Sequence, residues 1–154
     1  MKTVIIILIT PLIVWSLLRA LIVPVLSSKT AAGGAVENGL AVCKRATNCV
    51  TSNAVDPNAI DAIAFEDASE RDWQGLLDAI GSLPGFTQRA REGDYVHFES
   101  RTPLMNYRDD LELLWQRDHG TVAIRSASRL GIRDFGANAD RVAMIRKLAE
   151  LQRR

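Results

Sequence analysis

The densest chemistry in the chain lies between Arg125 and Arg141, in RSASRLGIRDFGANADR, together with the acidic pair Asp109-Asp110. Forked guanidinium donors at Arg125, Arg129 and Arg141 suit carboxylates or an anionic ligand, because arginine presents parallel N–H groups that match two oxygens at once. Strand alternation places Val122, Ile124, Ser126 and Ser128 on one side and Arg125, Ala127 and Arg129 on the other. Arg129, Asp134, Asn138 and Arg141 fall in or beside the loop into the last helix, with Gly131 and Gly136 available for positive φ. Two uses fit. One is an Arg/Asp network that pins an irregular loop; the other is a pocket in which the three arginines hold an anion or carboxylate.

Catalytic readings of the same residues are weak. A serine hydrolase built on Ser126 or Ser128 needs a histidine and a carboxylate, and the sequence has only His97 and His119 and no G-x-S-x-G elbow. Asp109 and Asp110 are adjacent, so on a strand they point to opposite faces and cannot form a carboxylate dyad. A glycosidase needs a second acid, for which Glu112 or Asp134 would have to serve. Zinc binding would have to join Cys43 and Cys49 to His97 and His119, which fall on a strand and at a hairpin tip. No cofactor and no metal are expected. The site residues expected from sequence are therefore Asp109, Asp110, Arg125, Ser126, Ser128, Arg129, Asp134, Asn138 and Arg141, as a ligand-binding or structural polar cluster without an assigned catalyst.

The elements that must position these residues follow from periodicity. AIDAIAFE, residues 59–66, reads as a strand, and Ser69-x-x-Asp72 opens a helix carrying Trp73, Leu76, Leu77 and Ile80 at helical spacing before Pro84-Gly85. Four strands follow, over 86–92, 95–102, 110–118 and 121–129, with turns at Gly93-Asp94 and at Asp118-His119-Gly120. A last helix over 139–153, with Asn138 as its N-cap, places Val142, Ile145, Leu148, Ala149 and Leu151 on one stripe. Its basic end, Arg146, Lys147, Arg153 and Arg154, complements the helix dipole. The expected fold is α+β: an antiparallel sheet of about five strands in β-α-β4-α order, two helices packing on it, and one N-terminal transmembrane helix ahead of it. The order resembles that of TATA-box-binding-protein-like and helix-grip folds, a likeness of topology alone. Pairing about the last turn sets Asp110 opposite roughly Ser128 and leaves Asp109 near Arg129, all at one end of the sheet.

Composition limits the function. The 154 residues are 47% hydrophobic and 24% charged, which fits one globular domain. A net charge of +1 with 6% aromatics argues against a nucleic-acid partner. Thr3 to Leu18 carries no charge, and with Arg19 passed over the apolar run reaches Leu26, long enough to span the roughly 30 Å hydrocarbon core. Arg19 must then snorkel, and Trp15 belongs to the membrane segment. Lys2 favours a cytoplasmic N-terminus. A cleaved signal peptide ending in Ala31-Ala32-Gly33-Gly34 is the alternative, disfavoured by an apolar stretch much longer than the usual h-region. Residues 1–28 are thus an anchor or signal, 29–42 a tether and 43–154 a single domain. Both readings put the domain on the exported, periplasmic side, either single-pass or secreted. Cys43 and Cys49 then meet an oxidising compartment and are expected to pair as a local clamp.

At these residues the chain resembles a bacterial and plastid family known as domain of unknown function 1499. The likeness rests on Cys43 with Asn48-Cys49-Val50-Thr51-Ser52, on Asp109-Asp110, and on Arg125 to Arg129 with Asp134, Gly136, Asn138 and Arg141. Lys44-Arg45-Ala46-Thr47 stands where the family usually has prolines, and Ala139 where an arginine is usual. The resemblance implies one domain and an envelope location, and no reaction. The expected function is a membrane-tethered accessory or binding module, a subunit of an envelope complex; the alternative is an envelope hydrolase or a lipid- or glycan-modifying enzyme using the Asp/Arg cluster.

Overall fold

The computed structural model describes residues 2–37 and 39–152, and for residues 2–8 and 19 the backbone only. The expectations for the Lys2 and Arg19 side chains, for Asn38 and for Arg153 and Arg154 lie outside the described residues. The chain opens with the apolar helix α1 (Lys2–Leu17), a π-helical turn (Leu18–Ile22) and α2 (Val23–Leu26). Pro24 explains the widened turn: it has no N–H to give and its ring collides with the carbonyl four residues back, so the ladder shifts and Val23 N–H bonds Leu18 O. Ile9–Leu26 is long and apolar enough to cross a membrane.

A two-stranded ladder, β1 (Ala35–Val36) with β2 (Gly39–Leu40), precedes β3 (Cys49–Thr51) and β4 (Ile63–Ala64). Then come α3 (Glu70–Gly81), β5 (Phe86–Glu92), β6 (Tyr95–Arg101), β7 (Arg108–Gln116), β8 (Thr121–Ser128) and α4 (Ala137–Gln152). The architecture is α+β, with six antiparallel strands in one sheet. The order is β3-β8-β7-β6-β5, and β4 also pairs with β8, farther along the same edge. Five strands become six because β3, three residues in the cysteine segment, is too short to show a period. The strand expected over 59–66 shrinks to Ile63–Ala64, since Ile60 N–H turns back to Thr51 O.

Both long helices cover one face of the sheet. Trp73, Leu76, Leu77 and Ile80 from α3 and Val142, Ile145 and Ala149 from α4 bury against Val96, Phe98, Leu111, Leu113, Val122 and Ile124. Phe65, Trp73 and Trp115 pack with ring centroids 5.7–6.3 Å apart. Leu151, expected on the α4 stripe, is 56% exposed, because it stands two residues past the buried Ala149 and so about 200° round the helix from that face. At the start of α3, Ser69 Oγ accepts from Asp72 N–H while the Asp72 carboxylate accepts from Ser69 N–H, a complete capping box.

Asn138 is not the N-cap of α4. Phe135 and Gly136 both take positive φ, 55° and 91°, which turns the chain so that the helix starts at Ala137. The Asp134 carboxylate does the capping, accepting from Gly136 N–H at 3.1 Å and Asn138 N–H at 3.0 Å. Asn138 is freed for the interior.

The Cys43–Cys49 disulfide is formed. The segment expected as a free tether is laid along the sheet: from Ser27 to Gly34 its backbone is bonded to side chains of β7 and β8.

Candidate functional site

Alternation along β7 divides the site in two. Asp109 faces the helices with Leu111 and Leu113; Asp110 and Glu112 face the other way. On β8, Ser126 and Ser128 face the helices, and Arg125 and, one residue past the strand, Arg129 the far side, as expected.

The helix-side network is centred on Asn138, which is fully buried. Its Oδ1 accepts from Ser126 Oγ at 2.7 Å and from Arg141 Nη1 at 2.7 Å. Its Nδ2 lies 3.0 Å from Asn48 O, 3.0 Å from Ser128 Oγ and 2.7 Å from Asp134 Oδ2. Arg141 also donates to Ser126 Oγ and, at 2.7 Å, to Asp109 Oδ2. A buried charge is stable only when paired in this manner, so Asp109 and Arg141 hold one another while tying β7, β8, α4 and the cysteine segment together. For Asp134, burial pulls the pKa upward, and the donors at Asn138 and Gly136 outweigh it, so the carboxylate titrates below its ordinary range.

The opposite face carries the larger network. Arg129 grips Asp110 with two bonds, Nε to Oδ2 at 2.9 Å and Nη2 to Oδ1 at 2.6 Å, and its Nη1 reaches Glu99 at 2.9 Å. His97 Nε2 lies 2.7 Å from the same Asp110 Oδ1. Glu99 also accepts from Arg89 and Arg101. Glu112 takes Arg125 Nη1 at 2.5 Å and the Tyr95 hydroxyl at 2.9 Å. A strap of backbone completes the shell: Thr30 Oγ1 and Ala31 N–H donate to Asp110, Gly33 and Gly34 N–H donate to Glu112, and Arg125 donates to Ala31 O at 2.9 Å. Arg129 Nη1 bonds Ser27 O at 3.2 Å.

These charges are buried because the strap covers them. For Asp110, burial raises the pKa, but the bonds from His97, Arg129 and Ala31 more than cancel it, and the carboxylate stays ionised to well below its ordinary range. Burial likewise opposes ionisation of Glu99, which Arg89, Arg101 and Arg129 nevertheless bring down to about 2. Burial, followed by the Glu112 charge, drives the Tyr95 hydroxyl the other way, far above its usual value.

Two sequence expectations change. Asp109 pairs with Arg141 and Asp110 with Arg129, because the last hairpin keeps one residue more in its connection: a short 3-10 turn (Arg117–His119) sets Gln116 opposite Thr121 and hence Asp109 opposite Ser128. A slip of one residue reverses the faces. Arg125, Arg129 and Arg141 do not converge on one anion, since Arg141 lies among the helices. The expected residues do gather at the end of the sheet where β7 begins and β8 ends, but in two networks back to back.

Sequence reasoning missed Tyr95, His97, Glu99 and Glu112 as members of this cluster, along with Arg89, Arg101 and the strap. A signal was present. HFE, DLE and RSASR each place ionisable residues two or four apart, and three neighbouring strands doing so on one face mark a charged layer that something must cover. Among the described residues no group of histidine, cysteine and acidic side chains is placed to hold a metal.

Beside the helix-side network opens a cleft of about 250 Å³, walled by Tyr107, Leu130, Arg133 and Phe135 with Asp109 and Ser128 at its floor. The family model described as "Protein of unknown function (DUF1499)" matches residues 39–148, which include β2 through most of α4 and both networks except the strap. The chain belongs to this family. No curated protein and no solved structure matches it.

Proposed function

We propose that this DUF1499 protein is a membrane-tethered accessory or binding module of the cell envelope, a subunit of a membrane complex, with its domain on the exported side. The observation that carries the reading is the strap. The residues that leave the apolar helix are built into the sheet through Asp110, Glu112, Arg125 and Arg129, so anchor and domain are one unit rather than a soluble body on a loose leash. The disulfide supports an oxidising location.

The cluster itself suits architecture better than turnover. Asp109, Asp110, Glu99 and Glu112 each accept from at least one arginine, and the two serines are engaged with Asn138. A general base needs a free lone pair near a substrate proton, and a nucleophile needs such a base beside it. The enzyme reading draws on the cleft over Asp109 and Ser128 alone.

The test is mild-detergent extraction of the full chain from its native membrane, followed by native mass spectrometry. A stoichiometric membrane-protein partner is the expected result. Recovery of the chain alone, with a hydrolytic activity that Asp109→Asn abolishes at unchanged melting temperature, would establish the enzyme reading instead.

A further inference from the structure

Large apolar side chains stand in water at one end of the domain. Phe135 is 96% exposed, Ile132 70% and Leu104 69%, and they sit on the two loops, 102–107 and 129–136, that flank the cleft. The loops are ordered by their own bonds: Thr47 Oγ1 donates to Ile132 O, Asp134 N–H donates to Thr47 O, and Asn106 N–H donates to Thr102 O. Phe135 is held at φ 55°, a costly conformation for an aromatic residue, because the Asp134 carboxylate reaches past it to the N–H groups of Gly136 and Asn138. Folding thus fixes these side chains outward instead of letting them retreat.

The anchor arrives at the same end. Asn106 shares a cavity with Trp15, Ser16 and Ala20 of the apolar segment, and Ser27 O receives the Arg129 bond at the same end. That cavity lays loop 102–107 against the apolar helix itself. Charge is distributed to match. Lys29, Lys44, Arg45 and Arg133 are exposed on the segments around the three apolar tips, whereas the far end carries Glu66, Asp67 and Asp118 beside Arg117, which is itself paired with Glu70 and Asp94.

We propose that this end of the domain docks on the surface of the same bilayer that the apolar helix crosses. Phe135, Ile132 and Leu104 enter the headgroup layer, and the four basic residues face anionic lipid phosphates, whose attraction for cations near the surface is substantial. The partner is an anionic phospholipid surface, and the acidic end points away from it. This inference rests on the anchor reading above.

The experiment uses the full chain in vesicles whose acyl chains carry bromine, which quenches indole at contact, with unbrominated vesicles as reference. In the wild type Trp15 reports the anchor, and Trp73 and Trp115 remain as a core background. The variant Trp15→Phe removes the first signal, and Trp15→Phe with Phe135→Trp adds an indole at the tip. We expect the added emission to be blue-shifted and mostly lost in brominated anionic vesicles, and less so in zwitterionic ones. Added emission typical of water and indifferent to bromine, with Trp15 of the wild type quenched, overturns the docking and leaves the anchor standing. An unquenched Trp15 overturns the anchor and the docking with it. Equal quenching in both lipids overturns the role given to the basic residues. Near-ultraviolet dichroism of the Trp73–Trp115 core confirms that each variant is folded.

Discussion

Arg129 is the residue on which the polar face depends most. It serves two carboxylates from two strands and the carbonyl of Ser27, so its loss takes from the buried Asp110 its one arginine and leaves Glu99 to Arg89 and Arg101. Removing one partner of a buried pair costs about 3–5 kcal/mol, and we expect Arg129→Ala to lower the unfolding free energy of the detergent-solubilised chain by that order, read by denaturant titration. A loss below about 1 kcal/mol would show the network to be dispensable. Acid should act on the same groups. The pKa values of Asp110 and Glu99 in the folded chain lie below their ordinary values of 3.8 and 4.5, so their contribution is fully present above about pH 4.5 and is lost as pH falls from there towards 2. The melting temperature should therefore fall across that window, and Glu99→Gln, already less stable at neutral pH, should flatten the fall. A parallel acid limb in wild type and variant would contradict the assignment.

Among the elements, the strap and the cysteine clamp make separate predictions. A Cβ on Gly33 would collide with Cβ of Ala41, so Gly33→Ala must lift the strap and withdraw two backbone donors from Glu112. We expect amide hydrogen exchange to quicken at residues 31–34 while the α3 core stays protected; unchanged exchange would mean that the strap is not held by its glycines. The disulfide closes a loop with a sequence separation of only 6, so it restricts the unfolded chain little, and its reduction should cost about 2 kcal/mol by the loop-entropy relation. Thermal melts with and without reductant measure it, and alkylation before reduction should modify neither thiol. β3, which begins at Cys49, pairs with β8 at Ser126, so a reduced clamp should loosen the helix-side network before the hairpins of β5 to β8.

At the scale of the whole molecule the question is whether the apolar helix stays. Ala31 N–H and Thr30 Oγ1 are two of the donors to the covered Asp110 carboxylate, and Ala31 O receives Arg125. Cleavage within Ala31 to Gly34 would remove or loosen them. We expect the intact mass of the mature protein to include the apolar segment; a mature chain beginning after Ala31 or Gly34 would show it to be a signal sequence.

Local periodicity and local chemistry can be read along the chain without its fold. The 24-residue apolar run, the capping box at Ser69, the four long strands, the α4 stripe up to Ala149 and the nearness of Cys43 to Cys49 each reside in a few consecutive residues, where alternation, helical spacing or loop length is decisive. The family signature was equally local. What the tertiary structure alone decided was partnership. Whether Asp109 or Asp110 meets Arg129 depended on one residue in a hairpin connection, since a single step exchanges the faces of a strand. That Glu99, His97 and Glu112 join the cluster depended on three strands lying side by side. That a glycine-rich segment reading as a tether becomes the lid over these charges depended on an unmet need for donors 79 residues away in the chain, which no window of sequence contains.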